Sequence, residues 1–170
     1  MSGPLHIREA EADDRAAILA LLKAAFGRVE EARLVQRLWM EDAVALELAA
    51  FVDGALAGYC AFTLVAADPP LKGVALGLAP LAVAPPMQKQ GVGAALVETG
   101  LETCEARGAS LVVVLGEPDY YSRFGFSPAR AKNITWAAMD AGDAFQIIDY
   151  ANLPATPARR IRYHPAFEEV

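Results

Sequence analysis

Gln88-Lys89-Gln90-Gly91-Val92-Gly93-Ala94 is the stretch of this chain whose residue types and spacing are best suited to chemistry. It follows an apolar run ending Leu81-Ala82-Val83 and a break at Pro85-Pro86, and it leads into Val92, Leu96, Val97 and Leu101 at helical spacing. Two glycines at a helix start leave peptide N–H groups uncovered. The helix dipole adds positive potential at the same place, so the loop suits an anion such as a pyrophosphate. A P-loop would carry Lys-Ser or Lys-Thr after the glycines, and a dinucleotide-binding turn would need glycine at Leu96. Neither is present, which argues against ATP and NAD. An isolated Gly-x-Gly also occurs where a loop merely turns into a helix, so at this level both readings stand.

Other reactive side chains are sparse. Cys60 and Cys104 lie far apart with no Cys or His at ligand spacing, so neither a disulfide framework nor a metal site is expected. His6 and His164 stand alone near opposite ends of the chain and read as structural. Glu117 and Asp119 flank Pro118 at a helix start, where the dipole alone favours carboxylates. Arg159, Arg160 and Arg162 read as a solvated edge strand, and Arg123 as a surface ion pair.

The elements that must position the loop follow from periodicity. Asp13 and Asp14 precede Ile18, Leu19, Leu21, Leu22, Ala25 and Phe26, an amphipathic helix stopping near Gly27. A second helix is expected from about Glu30 to Met40, with Leu34, Val35, Leu38 and Trp39 on one stripe. Residues 44–51 and 56–65 suit strands, and Val52-Asp53-Gly54 supplies a tight turn between them. Residues 74–83 are nearly all apolar, as in a strand buried on both faces in mid-sheet. A helix over 91–107 stops at Gly108, and Leu111-Val112-Val113-Val114-Leu115 is a further strand. Pro118 opens a short helix through Tyr121 to Phe124. Strand pieces at 125–126, 145–148 and 160–163 close the domain.

In this setting Gln88-x-x-Gly91-x-Gly93 after an apolar strand resembles the Q/R-x-x-G-x-G/A pyrophosphate loop of the GNAT acetyltransferases. Leu78-Ala79-Pro80-Leu81-Ala82-Val83 and the run Leu115 to Phe126, including Pro118-Asp119-Tyr120-Tyr121, look like the YhbS-like bacterial subgroup. The resemblance implies one GNAT-like α/β (α+β) domain over 1–170, with a mixed, mostly antiparallel sheet whose central strands splay apart, flanked by helices. It implies acetyl-CoA as cosubstrate, with Leu81, Ala82 and Val83 meeting pantetheine through main-chain atoms and Gln88, Lys89, Gln90, Gly91, Val92, Gly93 and Ala94 holding the pyrophosphate. Tyr121, in Tyr-x-x-x-Gly-Phe, takes the place of the GNAT tyrosine that protonates the departing thiolate. A phenol of pKa about 10 facing a thiol of about 8.5 is an acid of the right kind. Tyr120, about 100° away on the same helix, is expected to line the substrate side or to pack. The strand 74–83 has no Asp, Glu or His for a base, and Gly116-Glu117 replaces the asparagine many relatives carry.

The implied activity is acetyl transfer to a primary amine, small molecule or peptide. The alternative is a non-catalytic acyl-CoA-binding sensor or regulatory module. The chain has 170 residues, 55% hydrophobic and 21% charged, with a formal net charge of −6. That composition supports a packed core, and the charge disfavours nucleic acid as a partner. The start Met1-Ser2-Gly3-Pro4-Leu5-His6-Ile7-Arg8-Glu9 lacks a signal pattern, and the charge-free stretch 73–88 is too short and proline-rich to span a membrane. A cytoplasmic protein is expected, and a homodimer by analogy with GNAT relatives. The first two helices and the loop at Asp68-Pro69-Pro70 are expected to shape the acceptor site.

Overall fold

A computed structural model describes residues 3–170. Met1 and Ser2, part of the stretch read for a leader, lie outside the described residues. The chain begins with strand β1 (Leu5–Glu9), followed by helices α1 (Arg15–Phe26) and α2 (Glu30–Met40). Gly27 ends α1 in the left-handed conformation, its N–H bonded to the Lys23 carbonyl.

Strands β2 (Val44–Val52) and β3 (Ala55–Leu64) form the expected hairpin. Asp53 and Gly54 both have positive φ, 51° and 78°, as a primed hairpin turn requires. After the short β4 (Ala66–Asp68) comes β5 (Val74–Val83), then α3 (Val92–Ala106) and β6 (Ala109–Leu115). The last third contributes α4 (Pro118–Tyr121), β7 (Ser127–Pro128), β8 (Ile134–Trp136), β9 (Phe145–Asp149) and β10 (Arg159–Arg162).

The main sheet has seven strands in the order β1-β2-β3-β5-β6-β9-β7. β5 and β6 run parallel, joined by the α3 crossover, and the other pairings are antiparallel. β5 occupies the middle, and most of it is buried. Side chains alternate between two cores. On one face α3 packs through Leu96, Val97 and Leu101 against Leu48, Phe62, Leu76 and Val112. On the other, α1 and α2 cover Tyr59, Ala61 and Ala82, and Ile134 and Ile161 cover Ala75, Leu111 and Val113.

Ile134 and Ile161 belong to a second sheet, of three strands in the order β4-β10-β8. Two expectations are corrected by the strand pairing. β10 lies at the centre of this sheet and not at an edge: Arg159 is 8% exposed and donates from Nη1 to the Pro154 carbonyl at 3.2 Å, while Arg160 and Arg162 are exposed. The strand expected at 125–126 forms instead at Ser127–Pro128, because Gly125 has φ 99° and ends the preceding turn. β4 and β8, three residues each, are too short to show a period in the sequence.

Candidate active site

The β5–β6 ladder is short. It runs from Val74 opposite Ala109 to Gly77 opposite Val113 and then stops, while β5 continues to Val83 along β3. A bulge between Phe62/Leu78 and Cys60/Leu81 places an extra residue on β5 at Ala79-Pro80, and a bulge bends the strand that carries it. Proline has no N–H to offer a neighbour. From Leu78 onward β5 therefore parts from β6, leaving an opening between Leu78–Val83 and Val114–Leu115.

The sequence-predicted strand residues lie along this opening. Leu81 and Val83 are half-buried against the α3 core, and Ala82 is buried on the opposite face. Beyond Val83 a single turn, Pro85–Met87, carries the chain to Gln88, whose Nε2 donates to the Val83 carbonyl at 3.2 Å. Gln90 Nε2 donates to the Pro86 carbonyl at 3.1 Å. Both amides thus fold the loop back onto the strand end. Lys89 and Gly91 adopt positive φ, 63° and 87°, so the chain reverses abruptly before Val92.

The first helical bond at this end runs from Ala95 N–H to the Gly91 carbonyl at 3.0 Å, and no side chain caps the helix start. The N–H groups of the first turn, Val92, Gly93 and Ala94, have no acceptor within the helix by the geometry of any helix N-terminus. A Cβ on Gly93 would stand 3.2 Å from Tyr120 Oη and 3.5 Å from Val83 Cγ2. Glycine therefore keeps the strand end, the first turn of α3 and α4 in close approach.

Tyr121 and Tyr120 divide as helix geometry requires, and Tyr120 packs, one of the two placements expected for it. Tyr121 lies across Gly116 at the end of β6, its ring edge against the place a Cβ would occupy, and meets Phe126 edge-on at 5.7 Å. That contact accounts for the glycine at position 116. Burial first, then the neighbouring Tyr120 phenol, pushes the Tyr121 pKa up to about 12. Tyr120 faces the α3 loop rather than an acceptor, and its phenol is also raised by burial. Arg123 stacks on the Tyr120 and Phe124 rings at 4.7 and 5.4 Å instead of forming the expected ion pair.

Sequence reasoning missed Tyr163 and Gln146. Tyr163 packs over Gly77, the last residue of β5 paired with β6, with its Cζ 3.5 Å from the position of a Cβ there. Its buried hydroxyl has no hydrogen-bond partner. Burial, and then the Tyr121 phenol, raise its pKa, so the two tyrosines approach the opening from opposite cores. Gln146, buried on β9, donates to the Gly116 carbonyl at 3.3 Å. No motif marks either residue. Glu117 and Asp119 are exposed, and His6 lies on β1 at the far side of the sheet.

The sequence profile of the acetyltransferase (GNAT) domain matches residues 6–129. The chain belongs to the GNAT family. YhbS, an uncharacterized N-acetyltransferase of Escherichia coli, is 38% identical over 138 residues, 79% of this chain and 80% of that protein. Another from the same organism, YjhQ, is 41% identical over 110 residues. That match spans 61% of this chain and 59% of YjhQ, less than two thirds of its length. Among solved structures, E. coli YhbS in complex with CoA superposes with a TM-score of 0.88 at 33% identity, covering 96% of this chain and 92% of that one. A GNAT acetyltransferase from Brucella melitensis in complex with acetyl-CoA gives 0.80 at 32%, covering 96% and 98%. The GNAT resemblance and fold read from the sequence are thus borne out. Among the described residues no helix is long and apolar enough to cross a membrane, and no group of His, Cys, Asp and Glu could hold a metal ion.

Proposed function

We propose that this GNAT domain transfers acetyl from acetyl-CoA to a primary amine by direct attack. One observation carries the reading: the opening between β5 and β6 lies beside the bare N-terminus of α3. An extended chain fits against unpaired strand edges, and a pyrophosphate fits first-turn N–H groups. CoA carries both, joined end to end, and the YhbS and Brucella structures hold CoA and acetyl-CoA.

On this reading the main chain of Leu81, Ala82 and Val83 pairs with pantetheine, and the loop from Gln88 to Ala94 receives the pyrophosphate, chiefly on the first-turn N–H groups of Val92, Gly93 and Ala94. Gln88 and Gln90 hold the loop in shape through their side chains, and exposed Lys89 adds positive charge. The amine nitrogen bonds to the thioester carbonyl carbon as the C–S bond breaks and its electron pair passes to sulfur. The surplus amine proton leaves through water, since β5 carries no Asp, Glu or His. Tyr121, with a pKa of about 12, keeps its proton throughout the neutral range. Handing that proton outright to a thiolate of pKa about 8.5 is unfavourable by roughly three orders of magnitude. Its contribution is a hydrogen bond to sulfur as negative charge develops there. Positioning supplies much of the remaining acceleration.

Calorimetric titration with acetyl-CoA, with ATP and NAD as controls, tests the cofactor, and thiol release across an amine panel tests the transfer. Saturable binding of acetyl-CoA alone followed by turnover is the expected result, and no binding at millimolar acetyl-CoA refutes the reading. The missing carboxylate on β5 favours the second reading, an acyl-CoA sensor. Tight binding with no turnover of any amine would establish it.

A further inference from the structure

On the face of the sheet opposite α3, a cavity of about 450 Å³ opens against the parted ends of β5 and β6. Leu78, Ala79 and Leu115 form its inner wall, and Trp136, Tyr163 and Phe167 close it from the C-terminal third of the chain. Phe167 and Ala166 pack on Leu34 and Leu38 of α2, which fixes the tail over the cavity. The Tyr163 ring meets Phe167 edge-on at 5.3 Å and lies 6.4 Å from Trp136. The walls are thus mainly aromatic and aliphatic and are braced by their neighbours.

Polar groups here are few. At the inner end lies Tyr163, whose hydroxyl is buried and unpartnered. An orphaned hydroxyl in an apolar enclosure carries a desolvation cost that a ligand N–H or C=O would relieve. His164 is already committed. Its Nδ1 accepts from the Ala166 N–H at 3.0 Å, which puts the proton on Nε2, 3.8 Å from Glu41. Glu168 is the one side-chain carboxylate of the lining, and the lining also carries the opposite charge of Arg162. A polyamine or aminosugar needs several carboxylates or many polar partners, which this lining does not supply.

Resting on the proposed acetyl transfer, we propose that this cavity is the acceptor site and that its substrate is a small primary amine carried on an aromatic or bulky aliphatic body. The apolar body fills the space between Trp136, Phe167 and Leu115. The amino group is directed to the inner end, where Tyr163 Oη accepts one of its N–H bonds and the lone pair faces the opening. A volume of this size holds a single-ring or indole amine, not a folded chain terminus.

The test measures thiol release at saturating acetyl-CoA with 2-phenylethylamine, tryptamine and isopentylamine against spermidine, glucosamine, ethanolamine and a short peptide. The apolar amines are expected to show kcat/KM at least tenfold above the others. Trp136→Ala is expected to raise KM for 2-phenylethylamine about tenfold with kcat little changed, a loss of the size a hydrophobic pocket yields on truncation. Ala138→Trp, at an exposed rim position, narrows the mouth without touching the core. It is expected to raise KM for tryptamine more than for isopentylamine, with acetyl-CoA affinity by calorimetry unchanged in both variants. Equal or better turnover of spermidine, glucosamine or the peptide, or an unchanged KM in both variants, overturns the assignment. So does acetyl-CoA binding with no turnover of any apolar amine. Failure to bind acetyl-CoA at all instead removes the transfer reading on which the assignment rests.

Discussion

Tyr120 and Tyr121 are chain neighbours with a common origin in α4, yet the structure gives them different surroundings. Tyr121 lies over Gly116 at the end of β6, facing the opening, and Tyr120 Oη reaches the first turn of α3 beside Gly93. Their removal should therefore separate kinetically. Tyr121→Phe is expected to lower kcat about 100-fold, the lower range for losing a positioned proton or hydrogen-bond donor, with KM for acetyl-CoA within twofold. Tyr120→Phe should do the converse, raising KM for acetyl-CoA a few-fold with kcat nearly intact. Steady-state kinetics on both variants checks this, and equal kcat in Tyr121→Phe and the parent would remove Tyr121 from the chemistry. Gly116 explains why the tyrosine has room, since any Cβ there would meet its ring.

At the scale of elements, α3 must lie close to the sheet for its N-terminus to stand at the strand opening. Two glycines permit this. A Cβ on Gly58 of β3 would meet Val92 and Leu96, and one on Gly100 of α3 would meet the Phe62 ring. Gly100→Ala should thus be destabilising although alanine is the better helix former, because overpacking of about 1–3 kcal/mol outweighs a propensity gain of about 1 kcal/mol. Denaturant midpoints measure the loss. The double variant Gly100→Ala/Phe62→Leu should recover part of it relative to Phe62→Leu alone, since the clash is with the ring. Additive effects in that cycle would show that α3 is held off the sheet by something else.

Several phenols and both thiols of the molecule are buried. Burial pushes Tyr121 and Tyr150 up to about 12 and Cys104 up to about 11, and raises Tyr59, Tyr163 and Cys60 as well. A group whose folded pKa exceeds its unfolded value stabilises fully below the unfolded value and loses that contribution as pH rises through the folded one. With unfolded thiols near pKa 8.5 and phenols near 10, stability should hold to about pH 8.5 and then fall steadily towards pH 12. Asp14 works at the other end. The hydrogen bond from Arg8 holds its carboxyl below the usual value, so its contribution is present above about pH 4 and is lost in stronger acid. Thermal melts across pH 7 to 11.5 test the alkaline limb, and a flat melting temperature over that range would contradict it.

Local periodicity and turn chemistry determined most of the elements: α1 with its glycine stop, the Asp53-Gly54 hairpin, the apolar β5 and the loop into α3 are all written in consecutive residues. The loop, being a run of seven neighbours, was legible as a sharp turn into a helix start. Interactions between residues distant in sequence were not. The register that ends the β5–β6 ladder at Gly77, the central place of β10, the burial of Arg159 and the approach of Tyr163 to Tyr121 depend on packing between segments tens of residues apart. The cavity against the parted ends of β5 and β6 is the clearest case. Its walls come from β5, β6, β8 and the C-terminal tail, and no spacing rule links them, because only the closed sheet and the tail folded over α2 bring their side chains to one place.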